Sequence, residues 1–111
     1  HLTAYVDDKP VGCTRFYEKE SGIFVVGRVA VLAEYRHRGI GQAMVRYVEK
    51  WAREPKNQDR FKINVLQLDA QDPVIPFYQA LGYDLLDMPG FLDAGIPHHK
   101  MELRIQEQKD A

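Results

Sequence analysis

The most informative segment of the sequence is Arg36-His37-Arg38-Gly39-Ile40-Gly41. It follows a hydrophobic, strand-like run and opens a helix. The first N–H groups of a helix have no internal partners, and the helix dipole adds partial positive charge there. The two glycines remove side chains that would block close approach to the backbone, while Arg36 and Arg38 add fixed positive charge. The stretch therefore predicts a strand-to-helix turn that binds a phosphate-bearing ligand.

Hydrophobic periodicity predicts the elements around this turn. Apolar residues at helical spacing begin at Ile40, and Pro55 ends that helix. Alternating or Val-rich runs predict strands on both sides of it. The predicted strands are Leu2–Val6, Val11–Glu18, Ile23–Leu32, Phe61–Ala70, Tyr83–Leu86 and His98–Ile105. A second helix is predicted to begin with Asp72 as its N-cap and Pro73 at its first position, and to end at Gly82. A polar loop is predicted over Lys56–Arg60, and a frayed tail over Gln106–Ala111.

The element order β-β-β-α-β-α-β-β indicates an α/β fold with a mixed sheet. The strand–helix–strand step from Ile23 to Ala70 should be a right-handed crossover, which makes those two strands a central parallel pair. The turn at residues 36–41 then lies at the carboxyl end of a central strand, where α/β sheets usually hold their ligands.

Composition narrows the class of protein. A chain of 111 residues with 45% hydrophobic residues supports one compact domain over residues 1–111. The 15 basic and 16 acidic residues nearly cancel and are interspersed, which disfavours a nucleic-acid surface. No apolar stretch approaches the roughly 20 residues of a membrane span, no signal-peptide pattern opens the chain, and the single cysteine, Cys13, fits a reducing compartment. These features predict a soluble cytoplasmic domain with no nucleic-acid or membrane partner and no metal site.

The turn departs from two common phosphate-binding motifs. A dinucleotide fingerprint would need a third glycine where Met44 stands, and a P-loop would need Lys-Ser/Thr in place of Gln42-Ala43. Instead, Val29-Ala30-Val31 followed by Arg36-x-x-Gly39-x-Gly41 resembles the acetyl-coenzyme A signature of the GNAT superfamily of N-acetyltransferases, usually written Gln/Arg-x-x-Gly-x-Gly/Ala.

Two further segments extend this resemblance over nearly the whole chain. Gln71, Val74 and Phe77-Tyr78-x-x-Leu81-Gly82-Tyr83 are similar to the family's second landmark, Asn-x-x-Ala-x-x-Phe-Tyr-x-x-x-Gly-Phe. The closing Phe91-x-x-x-Gly95-Ile96-Pro97-His98-His99-x-Met101 is similar to the tail of one GNAT subgroup. Two spaced landmarks in the right order are stronger support for the family than either alone.

The resemblance implies a GNAT-like acyl-CoA N-acyltransferase fold and acetyl-CoA as cosubstrate. Main-chain groups of the strand would pair with the pantetheine arm, N–H groups of the turn would bind the pyrophosphate, and the Gln71 amide would contact the cofactor. The implied cofactor-binding residues are Val29, Ala30, Val31, Arg36, His37, Arg38, Gly39, Ile40, Gly41, Gln42 and Gln71.

The resemblance also implies Tyr78 as the general acid that donates a proton to the departing sulfur. A phenol with a reference pKa of about 10 stays protonated at neutral pH and can protonate a thiolate whose pKa is about 8.5. The general base is open. Histone-type members carry a carboxylate at the strand position that is Val25 here, and Asp69, His98, His99 or a water chain could replace it.

Two function classes remain from the sequence. The first is an N-acetyltransferase that transfers acetyl to a primary amine, on a small molecule or a peptide, by direct attack in a ternary complex. The second is a non-catalytic acyl-CoA-binding or regulatory module. The family domain normally begins with a strand and two helices that wall one side of the acceptor groove; without them Leu2–Val6 is expected to be an exposed edge strand. The oligomeric state is open, a homodimer included.

Overall fold

A computed structural model describes residues 1–86 and 89–105 of the chain. Two helices pack against a mixed sheet, and the turn of residues 36–41 follows a short strand at the end of a second, smaller sheet, not the central strand that the sequence predicts. The strands are β1 Leu2–Val6, β2 Lys9–Thr14, β3 Phe16–Glu20, β4 Ile23–Val26, β5 Ala30–Val31, β6 Val65–Gln71, β7 Asp84–Leu85, β8 Phe91–Asp93 and β9 Ile96–Arg104; the helices are α1 Ile40–Arg53, α2 Pro55–Phe61 and α3 Ile75–Ala80, with 3-10 turns at Ala33–Tyr35 and Asp72–Val74.

The strands form two sheets. The smaller has the order β1-β2-β5, with β1 at its edge as expected, and the larger has the order β3-β4-β6-β9-β7 with β8 paired to β9. β4 and β6 are parallel, from Ile23 opposite Val65 to Val25 opposite Gln67, and every other pairing is antiparallel. The predicted central parallel pair is therefore present.

Two predicted strands are wrong because each divides between the sheets. Val11–Glu18 breaks after Thr14, and Ile23–Leu32 breaks after Val26. The two points at which the strands break are hydrogen-bonded to each other. The Gly27 N–H donates to the Arg15 carbonyl, and the Thr14 hydroxyl donates to the Gly27 carbonyl over 3.1 Å. A Cβ on Gly27 would lie 2.8 Å from Arg15 Cγ, so this close crossing needs glycine.

The predicted polar loop over Lys56–Arg60 is also wrong, because α2 occupies it. Pro55 ends α1 as predicted but also opens α2, at a position where its missing N–H costs nothing. The side chains of Asn57 and Gln58 donate to the carbonyls of Trp51 and Ala52, which satisfies the end of α1. Strand β6 consequently begins at Val65 rather than Phe61.

Smaller corrections concern the C-terminal third. Asp72 does not cap the second helix, since a 3-10 turn intervenes and the helix begins at Ile75 without a side-chain cap. The predicted strand Tyr83–Leu86 shortens to Asp84–Leu85, and β9 begins two residues before His98. The predicted tail Gln106–Ala111 lies outside the described residues.

The core lies between α1, α3 and one face of the larger sheet. Its buried members are Phe24, Val26, Val45, Val48, Ala52, Ile63, Leu66, Leu68, Ala70, Tyr78, Leu81, Tyr83 and Met101. Because strand side chains alternate between faces, Gln67, Asp69 and Gln71 of β6 project from the opposite face. In the described part of the chain, every helix is too short or too polar to cross a membrane.

Candidate active site

The first feature of the site is a gap between β5 and the second half of β6. The parallel pairing of β4 with β6 ends at Val25 and Gln67, and β5 pairs instead with β2, through Ala30 opposite Cys13 and Val31 opposite Gly12. Within the described residues, the edge of β5 that faces β6 has no strand partner. Its peptide groups are available to an extended ligand that adds as a short strand.

The second feature is the start of α1 at the head of this gap. Gly39 is the N-cap, in the left-handed region at φ +78°, and no side chain caps the helix. The Ala43 N–H donates to the Gly39 carbonyl. Among the turn and cap hydrogen bonds of the described residues, none has an N–H of residues 37–42 as its donor. These unpaired N–H groups and the helix dipole make the turn an anion-binding surface.

The arginines of the turn are held by neighbouring groups. Arg36 Nε donates to the Val31 carbonyl over 3.2 Å, which ties the turn to β5. The Arg38 guanidinium carbon lies 5.0 Å from the centroid of the Tyr35 ring. Both side chains are exposed, so the positive charge faces solvent at the point where a phosphate would approach.

Gly41 lies where the two family motifs, the turn of residues 36–41 and the segment around Phe77, come together in space. A Cβ built on Gly41 would lie 3.8 Å from Val29 Cγ1, 3.9 Å from Val31 Cγ2 and 3.9 Å from Phe77 Cζ. The strand before the turn, the first turn of α1 and α3 therefore converge on one spot. Phe77 belongs to this site although sequence reasoning assigned it no role; its place beside Tyr78 in the second landmark was the available signal.

The predicted cofactor-binding residues lie in two parts of the structure. The larger group surrounds the gap and the start of α1, with half-buried and exposed members at Val29, Ala30, Val31, Arg36, His37, Arg38, Gly39, Ile40, Gly41 and Gln42. Gln71 is exposed at the last position of β6.

Tyr78 lies on α3 and packs into the core beside the gap. Its ring centroid is 5.0 Å from that of Phe77 and 5.9 Å from that of Tyr83, and the residue is 9% exposed. Burial raises the pKa of the Tyr78 phenol above its usual value. Every fully buried side-chain nitrogen and oxygen in the described residues has a partner. The Tyr78 hydroxyl makes no hydrogen bond within the described residues.

A buried carboxylate, Glu49, binds the hydroxyl of Tyr83, whose ring packs against Tyr78. Glu49 Oε1 accepts from Arg46 over 2.8 Å and lies 3.7 Å from Arg53, and Glu49 Oε2 accepts from the Tyr83 hydroxyl over 3.2 Å. Burial, followed by the Glu49 charge, raises the pKa of Tyr83 far above its usual value. The cluster joins α1 to the end of α3, where Arg46 also donates to the Leu81 carbonyl.

We expect Tyr83→Phe to lower the free energy of unfolding by about 2 kcal/mol at pH 7, because Glu49 Oε2 loses its hydrogen bond. The Tyr83 pKa is higher in the folded than in the unfolded protein, so its stabilising effect is complete below about pH 10 and declines above it. Urea unfolding at pH 7 and at about pH 10.5 measures both effects. Tyr47→Phe, on the exposed face of α1, is the control. Equal stabilities of Tyr83→Phe and wild type at pH 7 would contradict this role.

The candidate bases occupy different surroundings. Val25 is half-buried on β4 and carries no proton acceptor. Asp69 accepts from Lys100 over 3.1 Å, and His99 Nδ1 lies 2.7 Å from Asp72 Oδ1. His98 is buried, with Nδ1 2.7 Å from the Ile96 carbonyl oxygen.

Comparisons with known proteins identify the family and the fold. The sequence model of the Acetyltransferase (GNAT) family matches residues 1–83. The chain is 37% identical to the uncharacterized N-acetyltransferase YjcF of Bacillus subtilis over 101 residues, covering 91% of this chain and 67% of that protein. An aminoglycoside 6'-N-acetyltransferase complexed with coenzyme A superimposes with a TM-score of 0.75 at 18% identity, over 97% of this chain and 73% of that one. A GNAT family acetyltransferase from Elizabethkingia anophelis with acetyl-CoA bound gives a TM-score of 0.73 at 15% identity, over 92% of this chain and 73% of that one.

The chain spans about two thirds of the length of the curated relatives it matches, at 67%, 61% and 66%. The solved structures, at their low identities, establish the fold, and the predicted α/β fold with a mixed sheet is confirmed. The matched family region contains the whole turn and both aromatic residues of α3. On the family match and the identity to its relatives, the chain belongs to the GNAT acetyltransferase family.

Proposed function

We propose that this protein binds acetyl-CoA along the gap between β5 and β6 and transfers the acetyl group to a primary amine. The observation that carries the proposal is the convergence at Gly41 of three elements: the open strand edge, the uncapped helix start and the α3 aromatic pair. Each supplies one property that an acyl-CoA thioester needs, namely a main-chain partner, an anion site and a proton donor.

The proposed binding follows from the groups that are free in each place. Peptide groups of residues 29–31 pair with the pantetheine amides, as in β-strand addition. The N–H groups of residues 37–42 bind the diphosphate. The side chain of Gln71, at the end of β6, offers an amide to the same ligand.

The proposed reaction is direct transfer without an enzyme-bound acyl group. The amine nitrogen attacks the thioester carbonyl carbon, a new C–N bond forms, the C–S bond breaks and the nitrogen gives up a proton to solvent. Tyr78 donates its phenolic proton to the departing sulfur, so that coenzyme A leaves as a thiol, and solvent restores that proton. The raised pKa of Tyr78 keeps the donor protonated over the whole neutral range. The exposed, free Cys13 suits a reducing compartment, and we propose a cytoplasmic location.

A second candidate is a non-catalytic acyl-CoA-binding or regulatory module. Val25 favours it, because this half-buried apolar side chain stands where histone-type members carry a carboxylate. The phenol of Tyr78, next to Phe77 on α3, favours the enzyme, since a binding module has no use for a proton donor at the thioester.

Release of coenzyme A thiol distinguishes the transferase from the non-catalytic binding module. Purified protein is mixed with acetyl-CoA and a panel of primary amines that includes amino sugars, polyamines, amino acids and peptide amino termini, and free thiol is followed with a chromogenic thiol reagent. The enzyme predicts amine-dependent thiol release with an acetylated product confirmed by mass. Binding of coenzyme A without thiol release from any amine would favour the regulatory module.

A further inference from the structure

The tip of the β1–β2 hairpin lies beside the segment that leads into α1. Strand β2 is antiparallel to β5, with Gly12 opposite Val31. One residue further along, the Leu32 N–H donates to the Val11 carbonyl over 2.8 Å. In this register the hairpin extends past the end of β5 and runs alongside the residues that precede the helix. Lys9, the first residue of β2, is therefore carried to the diphosphate end of the gap.

Two positive charges contact one aromatic ring at this place. The Lys9 Nζ lies 5.4 Å from the centroid of the Tyr35 ring, and the Arg38 guanidinium carbon lies 5.0 Å from the same centroid. Tyr35 is the last residue of the 3-10 turn before the glycine-containing turn. Its half-buried ring thus joins the hairpin to the start of α1 and orients a cation from each.

The protein itself does not neutralise these two cations. In the part of the chain that the structure describes, no ion pair includes Lys9 or Arg38, and none includes the adjacent Asp7 or Asp8. Both cationic side chains are exposed. Two uncompensated positive charges near one ring repel each other, and an anion close to both replaces that repulsion with attraction. Lys9, Tyr35 and Arg38 therefore form a second place for an anion, beside the backbone N–H groups of α1.

Coenzyme A carries a second anionic group at the corresponding position along the molecule. Its ribose bears a phosphate monoester on the 3′-oxygen, one sugar away from the diphosphate. The second pKa of a phosphate monoester is near 6, so this group has almost two negative charges at pH 7. Backbone N–H groups suit the diphosphate, which lies close to the helix start, whereas a terminal dianion suits mobile side-chain cations that project beyond it.

We propose that Lys9 and Arg38 bind the 3′-phosphate of coenzyme A, so that the protein discriminates against 3′-dephospho-coenzyme A; this assignment rests on the proposed binding of acetyl-CoA. The diphosphate lies against residues 37–42, and the ribose directs its 3′-phosphate toward the hairpin tip. Arg36 takes a different part, because its Nε is bound to the Val31 carbonyl and holds the turn against β5.

The test measures two ligands against matched charge variants. Titration calorimetry gives the Kd of coenzyme A and of 3′-dephospho-coenzyme A for wild type, Lys9→Gln and Lys19→Gln. The control, Lys19→Gln, removes the same charge from an exposed position on β3, the edge strand of the larger sheet.

We expect wild type to bind coenzyme A about 20-fold more tightly than the dephospho form. Lys9→Gln should weaken coenzyme A binding about fivefold and change the affinity for the dephospho form by less than about 1.5-fold. In Lys9→Gln/Arg38→Gln the preference for coenzyme A should disappear, and in wild type it should shrink as salt is raised from about 0.05 M to about 0.5 M. Lys19→Gln should keep the wild-type preference, and the exposed position of Lys9 should leave the melting temperature of Lys9→Gln near that of wild type.

The opposite outcomes are distinguishable from one another. Equal affinities of wild type for the two ligands, or an unchanged coenzyme A affinity in Lys9→Gln, overturn the 3′-phosphate site and leave acetyl-CoA binding in place. A loss in Lys9→Gln that is the same for both ligands overturns it as well, because the lysine then acts on the diphosphate. Absence of binding of either ligand to wild type at millimolar concentration overturns the proposed function itself, and this inference with it.

Discussion

Tyr78→Phe is expected to lower kcat about 1000-fold, in the middle of the range for a lost general acid. The substitution removes one hydroxyl and keeps the ring that packs against Phe77 and Tyr83. The hydroxyl makes no hydrogen bond within the described residues, so the free energy of unfolding should change by less than about 1 kcal/mol. Steady-state thiol release measures kcat, and calorimetry measures coenzyme A binding, which should be unchanged because the diphosphate site is elsewhere.

The control for this prediction is Tyr47→Phe, an equal chemical change on an exposed α1 residue, which should leave kcat unchanged. The pH dependence gives a second check. Because burial raises the Tyr78 pKa above its usual value of 10.0, the wild-type kcat should show no loss from this group between about pH 8 and pH 10. A Tyr78→Phe enzyme with wild-type kcat would contradict the assignment of the acid.

Gly39→Asp is expected to weaken coenzyme A binding several hundredfold. Two like charges about 5 Å apart repel by roughly 3 kcal/mol at an effective dielectric constant of 20, and the diphosphate carries more than one charge. A side chain at Gly39 has open space around it, with no protein atom within 4 Å. Asp tolerates the left-handed conformation better than most residues, so the fold should be retained. Isothermal calorimetry with coenzyme A measures the change.

Gly95→Asp is a closely matched control. Gly95 has the same φ of +78° as Gly39 and the same open surroundings, but it lies in the turn between β8 and β9. Both variants introduce the same charge and the same backbone strain, and at residue 39 the helix dipole offsets part of that strain, so Gly39→Asp should not lower the melting temperature more than Gly95→Asp does. Only the residue-39 variant should lose affinity. Equal affinity in the two variants would show that the diphosphate does not sit against the start of α1.

The parts of the fold that sequence could predict are those set by local patterns. The helix from Ile40 has a regular apolar stripe and a proline at its end, and the parallel pair follows from the handedness of a single crossover. The division of Ile23–Leu32 could not be predicted, because alternation shows which face is buried but not which strand is the partner. That choice depends on the contact of Gly27 with Arg15, which are distant in sequence. Helix α2 escaped prediction because its residues are mostly polar and its stability comes from Asn57 and Gln58 bonding back to α1.

The candidate site likewise has parts that the sequence could predict and parts that it could not. The turn at residues 36–41 could be found because an anion site made of backbone N–H groups leaves a glycine pattern in the sequence. The role of Phe77 could not, because it depends on which face of α3 meets the gap. His98 and His99 are adjacent in sequence, and only the strand register shows that His98 is opposite Gln71 whereas His99 is opposite Ala70 and binds Asp72.

Amide chemical shifts in 15N-labelled protein titrated with coenzyme A test most directly whether main-chain N–H groups at the start of α1 bind the diphosphate. We predict that the largest shifts fall on residues 37–42 and that pantetheine, which lacks the diphosphate, leaves those amides unchanged while shifting residues 29–31. Saturable coenzyme A binding that leaves residues 37–42 unshifted, or the absence of binding at millimolar coenzyme A, would contradict this binding mode.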